Sequence, residues 1–475
     1  MKNKIKLNAV IYSLPNFVTA ICSIISLPFL TQELDLNEFG YFFLCSIIVN
    51  LFGVFTSLGS SFGMARYFHG QSIEKQNVFI SSIFFLSILI GFVICVVLYF
   101  FWDSFVAVFI PEISTVNGDQ MFIIFFCILI YGNQLFVSEV LTLNKKAFLF
   151  FIYIASSSIV STLVNIFLIT YYNFGVDTLF YALFASSLLN FLFILLVLSK
   201  YIKSWPDINL LKDILREYKI IVANIFENFC FFIERNLITR FLGVELFAIF
   251  THSKNYEKTI ININTAVYRS IYSLALDEFK KNKGFSFCEK SIEYIVILIF
   301  FFSTFFYTIG YDFIALISNN KFSDASHFVG LWCLTFFYRS TNMMYNIIIL
   351  VKGDEKTYAN ILYYDKLTLI ILMLALLPFF GLAGIVISYI VSAFVLKIYL
   401  FFSAKKLSRF PNIEIKITKF FLISLLIFVI SFNFGSDLQS RLIFFSLFYL
   451  LGIFIFRKRL FNLLIEIMAS FKKIY

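Results

Sequence analysis

Two apolar stretches decide the fold of this chain: residues 174–200, FGVDTLFYALFASSLLNFLFILLVLSK, and residues 380–406, FGLAGIVISYIVSAFVLKIYLFFSAKK. Each contains about twenty mostly apolar residues, the length that a helix needs to cross the hydrocarbon core of a bilayer. Both start with Phe-Gly and end with lysine. A shift of 206 residues therefore aligns one stretch with the other without a gap.

The same shift aligns further positions over three consecutive predicted helices of each half. It pairs Cys127 with Cys333, Lys146 with Lys352, Ser186 with Ser392, and Lys200 with Lys406. Single identities arise by chance in apolar sequence, but an ungapped register that also aligns turns and loop charges indicates an internal repeat. We therefore predict two six-helix lobes of like orientation around a central cavity, which is a known plan of transporters.

The composition of the whole chain indicates a polytopic membrane protein. Of its 475 residues, 60% are hydrophobic and only 14% are charged, and its mean hydropathy is +0.90. Soluble domains have about 25% charged residues, and disordered chains have low apolar content, so both classes are excluded. The length of a membrane span predicts about fourteen transmembrane helices, near residues 8–30, 40–63, 78–101, 119–142, 147–171, 178–198, 219–242, 246–275, 291–314, 327–350, 359–379, 382–402, 419–433 and 441–456.

The distribution of lysine and arginine supports this number of spans and orients them. If both termini are cytoplasmic, 28 of the 38 basic residues lie in inside segments, and the outside loops hold only Arg240, Lys321 and Arg441. Cytoplasmic loops of membrane proteins carry this excess of positive charge. The net charge of +10 then reflects topology and the membrane surface, and no nucleic acid partner is predicted.

We predict four regions along the chain. An N-terminal six-helix lobe covers residues 1–199, and an interfacial amphipathic linker covers 200–218. A C-terminal six-helix lobe covers 219–403, and two additional transmembrane helices with a cytoplasmic tail cover 404–475. No extramembrane segment is long enough for a catalytic or nucleotide-binding domain, and the chain contains no phosphate-binding loop motif. We therefore expect a transporter rather than an enzyme, with no cofactor and no metal.

Charged residues in the middle helices mark the predicted interior. A charge at the bilayer centre costs at least about 2.5–3.5 kcal/mol, so such residues face one another or a wet cavity. The seventh and eighth spans are the richest in charge, and single charges lie in the fourth and tenth spans. These residues are Glu227, Glu234 and Arg235; Lys254, Glu257, Lys258 and Arg269; Glu139; and Arg339.

Two interpretations of these charges remain open. Arg235, Lys254, Lys258 and Arg339 could form a lumen that attracts anions, because lysine and arginine bind phosphate by charge and hydrogen bonding. They could instead pair with Glu227, Glu234 and Glu257 between helices. Lys254 and Glu257, three residues apart, are equally consistent with a local pair.

The remaining cations have simpler interpretations. Arg269, Lys366 and Lys397 lie nearer the inner ends of their spans, where long side chains can reach the interface. Arg66 lies at the inner end of the second span, where a topological charge is expected; the alternative is a contact with an entering phosphate. The histidines and cysteines are scattered and predict no metal site.

Several motifs resemble those of Wzx-type oligosaccharide flippases of bacteria. LPNFVTAICSIISLPFLTQELDLNEFGYFFL, residues 14–44, and LFGVFTSLGSSFGMARYF, residues 51–68, are similar to the first two helices of that family. Glu234-Arg235 occupies the place of a frequent Asp-Arg pair, and LVKGDEKTY, residues 350–358, is similar to the loop after the tenth helix. The resemblance covers residues 8–405. It implies membership of the multidrug/oligosaccharidyl-lipid/polysaccharide exporter superfamily.

The resemblance also implies a function. Flippases of this type move undecaprenyl-diphosphate-linked oligosaccharide, as in O-antigen and lipopolysaccharide synthesis, to the outer leaflet of the bacterial inner membrane by alternating access. Polysaccharide polymerase and chain-length machinery are implied partners. Under this hypothesis Arg235, Lys258, Arg339 and Arg66 contact the substrate, and Glu139, Glu227, Glu234, Lys254 and Glu257 line the cavity or couple ions.

A cation-coupled multidrug or metabolite antiporter of the same superfamily is the alternative hypothesis. Such exporters commonly carry an acidic residue in the first helix, and none occurs between Asn8 and Leu30. Glu139 or Glu227 could couple ions instead. A membrane polymerase or glycosyltransferase is disfavoured, because the predicted outside loops are short.

Overall fold

The computed structural model describes residues 2–57, 72–113, 116–144, 146–199, 207, 218–280, 284–351, 355–407, 413–434 and 437–471. These residues form helices and contain no β-strand. In chain order the helices are α1 Lys2–Glu33, α2 Leu36–Ser57, α3 Ile73–Phe109, α4 Gly118–Leu143, α5 Ala147–Tyr172, α6 Asp177–Leu198, α7 Tyr218–Lys280, α8 Gly284–Thr308, α9 Gly310–Ile317, α10 Ala325–Val351, α11 Glu355–Leu407, α12 Ile413–Phe434 and α13 Leu438–Phe471.

This all-α architecture confirms the predicted fold class. Within the described segments, eight helices are long and apolar enough to cross a membrane, or nine if α8 and α9 form one broken span with a 71° bend. The predicted ninth span was continuous, so this bend is a difference from the prediction. The predicted linker, except for residues 207 and 218, lies outside the described residues.

Two long helices each contain two of the predicted spans, separated by a glycine. The backbone of α7 turns at Gly243 with φ +86°, and that of α11 turns at Gly381 with φ +55°. Glycine adopts this left-handed region at little cost because it lacks a Cβ atom. Gly175, which lies 206 residues before Gly381, also has φ +55°. The backbone therefore repeats at the position where the two opening stretches align.

The helices group into two bundles that meet along α7. In the first bundle α1 packs against α5, and α4 packs against α2 and α6; in the second, α10 packs against α7, α8 and α11. Helices α12 and α13 pack against α8 of the second bundle. One apolar cluster joins the bundles through Phe39, Phe247 and Phe322. We call the first bundle, α1–α6, the N-lobe, and the second, α7–α11, the C-lobe.

Polar contacts close one end of the contact between the lobes. Lys321 donates from Nζ to the carbonyl oxygens of Gln32 and Leu34, at 2.5 and 3.3 Å. Asn37 donates from Nδ2 to Glu245 Oε1 at 3.3 Å. We call these five residues the latch. They lie at the end of the molecule opposite to residues 2 and 280, where α1 starts and α7 ends.

Gly132 allows α4 to approach α2 closely, and its replacement is expected to destabilise the protein. A Cβ atom at Gly132 would clash with Thr56 and would lie 2.7 Å from the backbone nitrogen of Ser57. Overpacking of this kind costs about 1–3 kcal/mol. We expect Gly132→Ala to lower the apparent melting temperature of the detergent-solubilised protein. Gly118→Ala is the control, since nothing lies within 4 Å of that Cβ position, and an equal loss in both variants would contradict the prediction.

Candidate substrate-binding site

Helix α7 carries most of the membrane-embedded charge, and its periodicity directs that charge into the C-lobe. Glu227 and Glu234 are seven residues apart, and Lys254 and Glu257 are three apart. Residues at these spacings lie on the same face of an α-helix. The break at Gly243 turns the chain back on itself, so that both halves of α7 contribute side chains to the interior.

Glu234 is held at the centre of the C-lobe by a tyrosine of α11. Its side chain is only 2% exposed. The hydroxyl group of Tyr389 lies 2.6 Å from each of the two carboxylate oxygens and donates to them. A buried carboxylate is stabilised by such short hydrogen bonds. The contact fixes the position of Tyr389, whose ring then faces the cations nearby.

Lys254 occupies an aromatic and acidic environment next to this tyrosine. Its Nζ atom lies 2.5 Å from Glu257 Oε2. The same atom lies 3.6 Å from the ring centroid of Trp332 and 3.7 Å from that of Tyr389. A cation over aromatic faces gains up to about 2 kcal/mol when water is excluded. Lys254 is therefore held by an ion pair and by two rings.

Trp332 is anchored on both sides. Its Nε1 atom donates to Ser253 Oγ at 2.9 Å, and its ring meets that of Tyr389 edge to face at 5.0 Å. Because the residue is fully buried, its only polar group needs this partner. The anchored ring is a rigid wall of the site.

Arg339 has hydrogen-bonding capacity that no described residue uses. Its guanidinium carbon lies 5.0 Å from the ring centroid of Tyr389. Its Nη2 atom is buried and has no hydrogen-bond partner, as is also true of Glu257 Oε1. A buried charged group without a partner is costly. The guanidinium group therefore has a donor free for an anionic ligand.

We call these side chains the C-lobe cluster: Glu234, Lys254, Glu257, Trp332, Arg339 and Tyr389. Its two cations and two carboxylates balance in formal charge. Lys254 forms the local pair with Glu257, whereas Arg339 forms no salt bridge with the described carboxylates.

A second group of charges surrounds Lys366 of α11. Its Nζ atom lies 3.1 Å from Glu227 Oε1 and 3.7 Å from Asp365 Oδ2. Ser392 Oγ donates to Asp365 Oδ1 at 2.9 Å. The expectation that Lys366 reaches the membrane interface was wrong, because its side chain is buried between carboxylates. Lys397 is also buried, with Nζ 4.9 Å from the ring centroid of Tyr338.

The other predicted site residues are distributed differently. Arg235 is half-buried and Lys258 is exposed, one on each half of α7. Glu139 is half-buried on α4 of the N-lobe. Arg66 and the side chain of Arg269 lie outside the described residues. Where the structure describes the chain, no group of three or more histidine, cysteine, aspartate or glutamate side chains could hold a metal ion.

Comparison of the chain with known protein families finds one match. The model of a family described as polysaccharide biosynthesis protein matches residues 29–327, which is more than half of the chain. The chain belongs to the polysaccharide biosynthesis protein family. The family resemblance predicted from the sequence motifs is thereby confirmed at this level. Among curated protein sequences, none matches the chain.

Solved structures share the fold of this polysaccharide biosynthesis protein. A structure of the lipid II flippase MurJ in an inward closed conformation has a TM-score of 0.72 and 16% identity, over 94% of this chain and 99% of the other. A multidrug resistance MATE transporter in an inward-facing conformation has a TM-score of 0.61 and 15% identity, over 84% and 95%. A transporter from Pyrococcus furiosus has a TM-score of 0.59 and 15% identity, over 85% and 97%. The chain therefore shares its fold with these flippase and transporter structures.

Four residues that lie in the charged interior of the C-lobe were not predicted as site residues from the sequence: Trp332, Asp365, Lys366 and Tyr389. A signal existed for the tryptophan, which is one of three in the chain and lies seven residues before Arg339. That spacing places both on one helix face. Lys366 was assigned by depth alone, and neither Asp365 nor the neutral tyrosines were considered.

Proposed function

We propose that this protein is a flippase that translocates undecaprenyl-diphosphate-linked oligosaccharide from the cytoplasmic to the outer leaflet of the inner membrane. The observation that supports it most strongly is the free, buried Nη2 atom of Arg339. Arginine binds phosphate with paired, charge-assisted hydrogen bonds. A diphosphate moving through the C-lobe would supply the missing partner.

The depth of the C-lobe cluster fits this role. Glu234 precedes Gly243 by nine residues, and Tyr389 follows Gly381 by eight. At 1.5 Å per residue these positions lie about 12–14 Å from the glycine breaks, near the middle of a hydrocarbon core of about 30 Å. A charged group costs the most free energy at this depth. The opposite charge of the substrate would offset that cost.

The lipid part of the substrate has a surface to follow. Large apolar side chains are exposed along the outer faces of the helices, including Phe100 at 75% and Phe379 at 82%. A polyprenyl chain can remain in the bilayer beside such faces while the head group crosses. The tail therefore needs no channel of its own.

The orientation and partners belong to the same proposal. With both termini in the cytoplasm, as the loop charges favour, the latch would close the outer end of the contact between the lobes. Arg235, Lys258 and Arg66 would be further contacts for diphosphate or acidic sugar. Polysaccharide polymerase and chain-length machinery would take over the product.

Loss of the protein from its native host tests the proposal. We expect lipid-linked repeat units to accumulate on the cytoplasmic leaflet and surface polysaccharide to fall, with recovery when the gene is restored. The measurement is the labelling of repeat units in right-side-out and inverted vesicles. Normal surface polysaccharide in a host without a second flippase would overturn the proposal.

A cation-coupled antiporter is the second candidate, and the likeness to MATE transporters favours it. Two observations weigh against it. Glu227 is paired with Lys366, and Glu234 already accepts from Tyr389, so both acids are engaged. Efflux of small organic cations that depends on a sodium or proton gradient, with surface polysaccharide unaffected by deletion, would establish the antiporter instead.

A further inference from the structure

The N-lobe contains a polar cavity that the proposed function does not use. It lies between α2, α4, α5 and α6 and has a volume of about 200 Å³. None of the described residues around it carries a charge. Among the side chains that supply hydrogen-bonding groups are Ser46, Asn50, Gln134, Ser157, Ser186 and Asn190. The cavity is thus lined by hydrogen-bond donors and acceptors but, in the part of the chain that the structure describes, by no charged side chain, in contrast with the C-lobe cluster.

Asn190 gives this cavity a hydrogen-bond acceptor that lacks a donor among the described residues. The residue is 3% exposed, and its Nδ2 atom donates to Ser157 Oγ at 3.1 Å. Its Oδ1 atom is buried and has no hydrogen-bond partner among the described residues. A buried acceptor left in this state costs about 1–3 kcal/mol. A hydroxyl group inside the cavity would remove that cost.

The internal repeat relates this cavity to the C-lobe cluster. A shift of 206 residues places Leu183, which lines the cavity, on Tyr389 of the cluster. The same shift places Asn133 on Arg339. Asn133 is itself buried with an unpartnered Oδ1 atom. Asn133 is not one of the residues that line the cavity, but it gives the N-lobe a neutral side chain at the repeated position where the C-lobe has Arg339.

We propose that the N-lobe cavity binds an uncharged, hydroxyl-rich group, namely a sugar ring of the transported glycan. The proposal rests on the proposed function, because it divides one substrate between the lobes: the C-lobe cluster binds the anionic group, and the N-lobe cavity binds the neutral sugar. Serine hydroxyls and the side-chain amides of asparagine and glutamine both donate and accept, as sugar hydroxyls require.

The size and walls of the cavity fit this ligand. A void of about 150 Å³ holds benzene in another protein, so about 200 Å³ accommodates a six-membered sugar ring. Tyr131 and Leu183 supply apolar wall for the CH face of such a ring. A phosphate group would find no cation there, which excludes the diphosphate as the occupant.

Binding to the purified full-length protein in nanodiscs tests the proposal. The probes are lipid-linked oligosaccharide extracted from the native host and undecaprenyl diphosphate without sugar. We expect the glycan-bearing lipid to bind about tenfold more tightly, because a few sugar hydrogen bonds supply about 1.4 kcal/mol. Asn190→Leu, which introduces the residue found at the repeated position 396, should abolish that preference and leave the affinity for the sugar-free lipid unchanged.

Two further variants make the result specific. Leu183→Phe, which fills the void, should have the same effect as Asn190→Leu. The test therefore remains possible if one of the two variants fails to fold. Asn165→Leu is the matched control: Asn165 is also buried with an unpartnered Oδ1 atom, but it does not line the cavity. It should keep the preference for the glycan-bearing lipid.

The outcomes separate this inference from the proposed function. If the wild-type protein binds both lipids equally, or if the preference survives in Asn190→Leu and Leu183→Phe, the sugar site is overturned while diphosphate recognition stands. If the wild-type protein binds neither lipid, the proposed function itself is overturned. Loss of preference in the two cavity variants alone supports the inference.

Discussion

Arg339→Gln is expected to reduce export of the lipid-linked glycan by about a hundredfold while the protein still accumulates in the membrane. Truncating one partner of a buried charged hydrogen bond costs about 2–5 kcal/mol, and about 1.4 kcal/mol corresponds to a factor of ten. Arg339 forms no salt bridge with a described carboxylate, so its neutralisation leaves no paired acid behind. The melting temperature should therefore stay the same or rise.

The measurement is surface polysaccharide in a deletion host that expresses each variant at matched levels. Arg441→Gln is the control, because Arg441 lies 3.0 Å from Asp312 outside the C-lobe cluster; its export should stay within about twofold of wild type. Unchanged export in Arg339→Gln at equal protein levels would remove Arg339 from the substrate path.

Lys254→Met is expected to destabilise the protein by about 3 kcal/mol, the low end of the range for breaking a buried ion pair. Glu257 is 3% exposed, and without the lysine it would be a buried carboxylate that has lost its cation. The measurement is thermal unfolding of the detergent-solubilised protein. The double variant Lys254→Met/Glu257→Gln should recover most of that stability, because neither charge remains.

Export by the double variant shows whether Lys254 has a role in transport besides its ion pair with Glu257. Its Nζ atom lies between the rings of Trp332 and Tyr389, next to Arg339, so we expect export to remain at least tenfold below wild type. Full recovery of both stability and export would make the pair purely structural. No recovery of stability would contradict the ion pair itself.

The architecture could be predicted because each membrane-spanning helix must be apolar along its length, and the loops on one side carry the positive charge. Spans of about twenty apolar residues are required by the bilayer, and the shift of 206 residues that relates Gly175 to Gly381 is visible in the sequence. The bend between α8 and α9 was not predictable in this way. The prediction followed the mean apolar character of residues 291–314 and made no use of Gly310 and Asp312, which lie directly after the break.

The site was predicted only in part, because a single helix shows its charges but not their partners. Glu234 and Lys254 stood out in α7 by their charge, whereas Tyr389, a neutral residue of another helix, was not considered. Lys366 was misassigned for a similar reason. Its distance from the span end suggested an exposed amine, but Glu227 from another helix lies 3.1 Å away and stabilises it in the interior.

The latch between the lobes is built from very few interactions. Lys321 bonds to backbone carbonyls, and Asn37 bonds to a side chain that is itself exposed. Hydrogen bonds of this kind contribute about 0.5–1.5 kcal/mol each. Under the proposed function, the latch would therefore be a weak and reversible seal, which opens more readily when the binding of cargo offsets the lost contacts. Directionality would then come from removal of the delivered glycan on the far side.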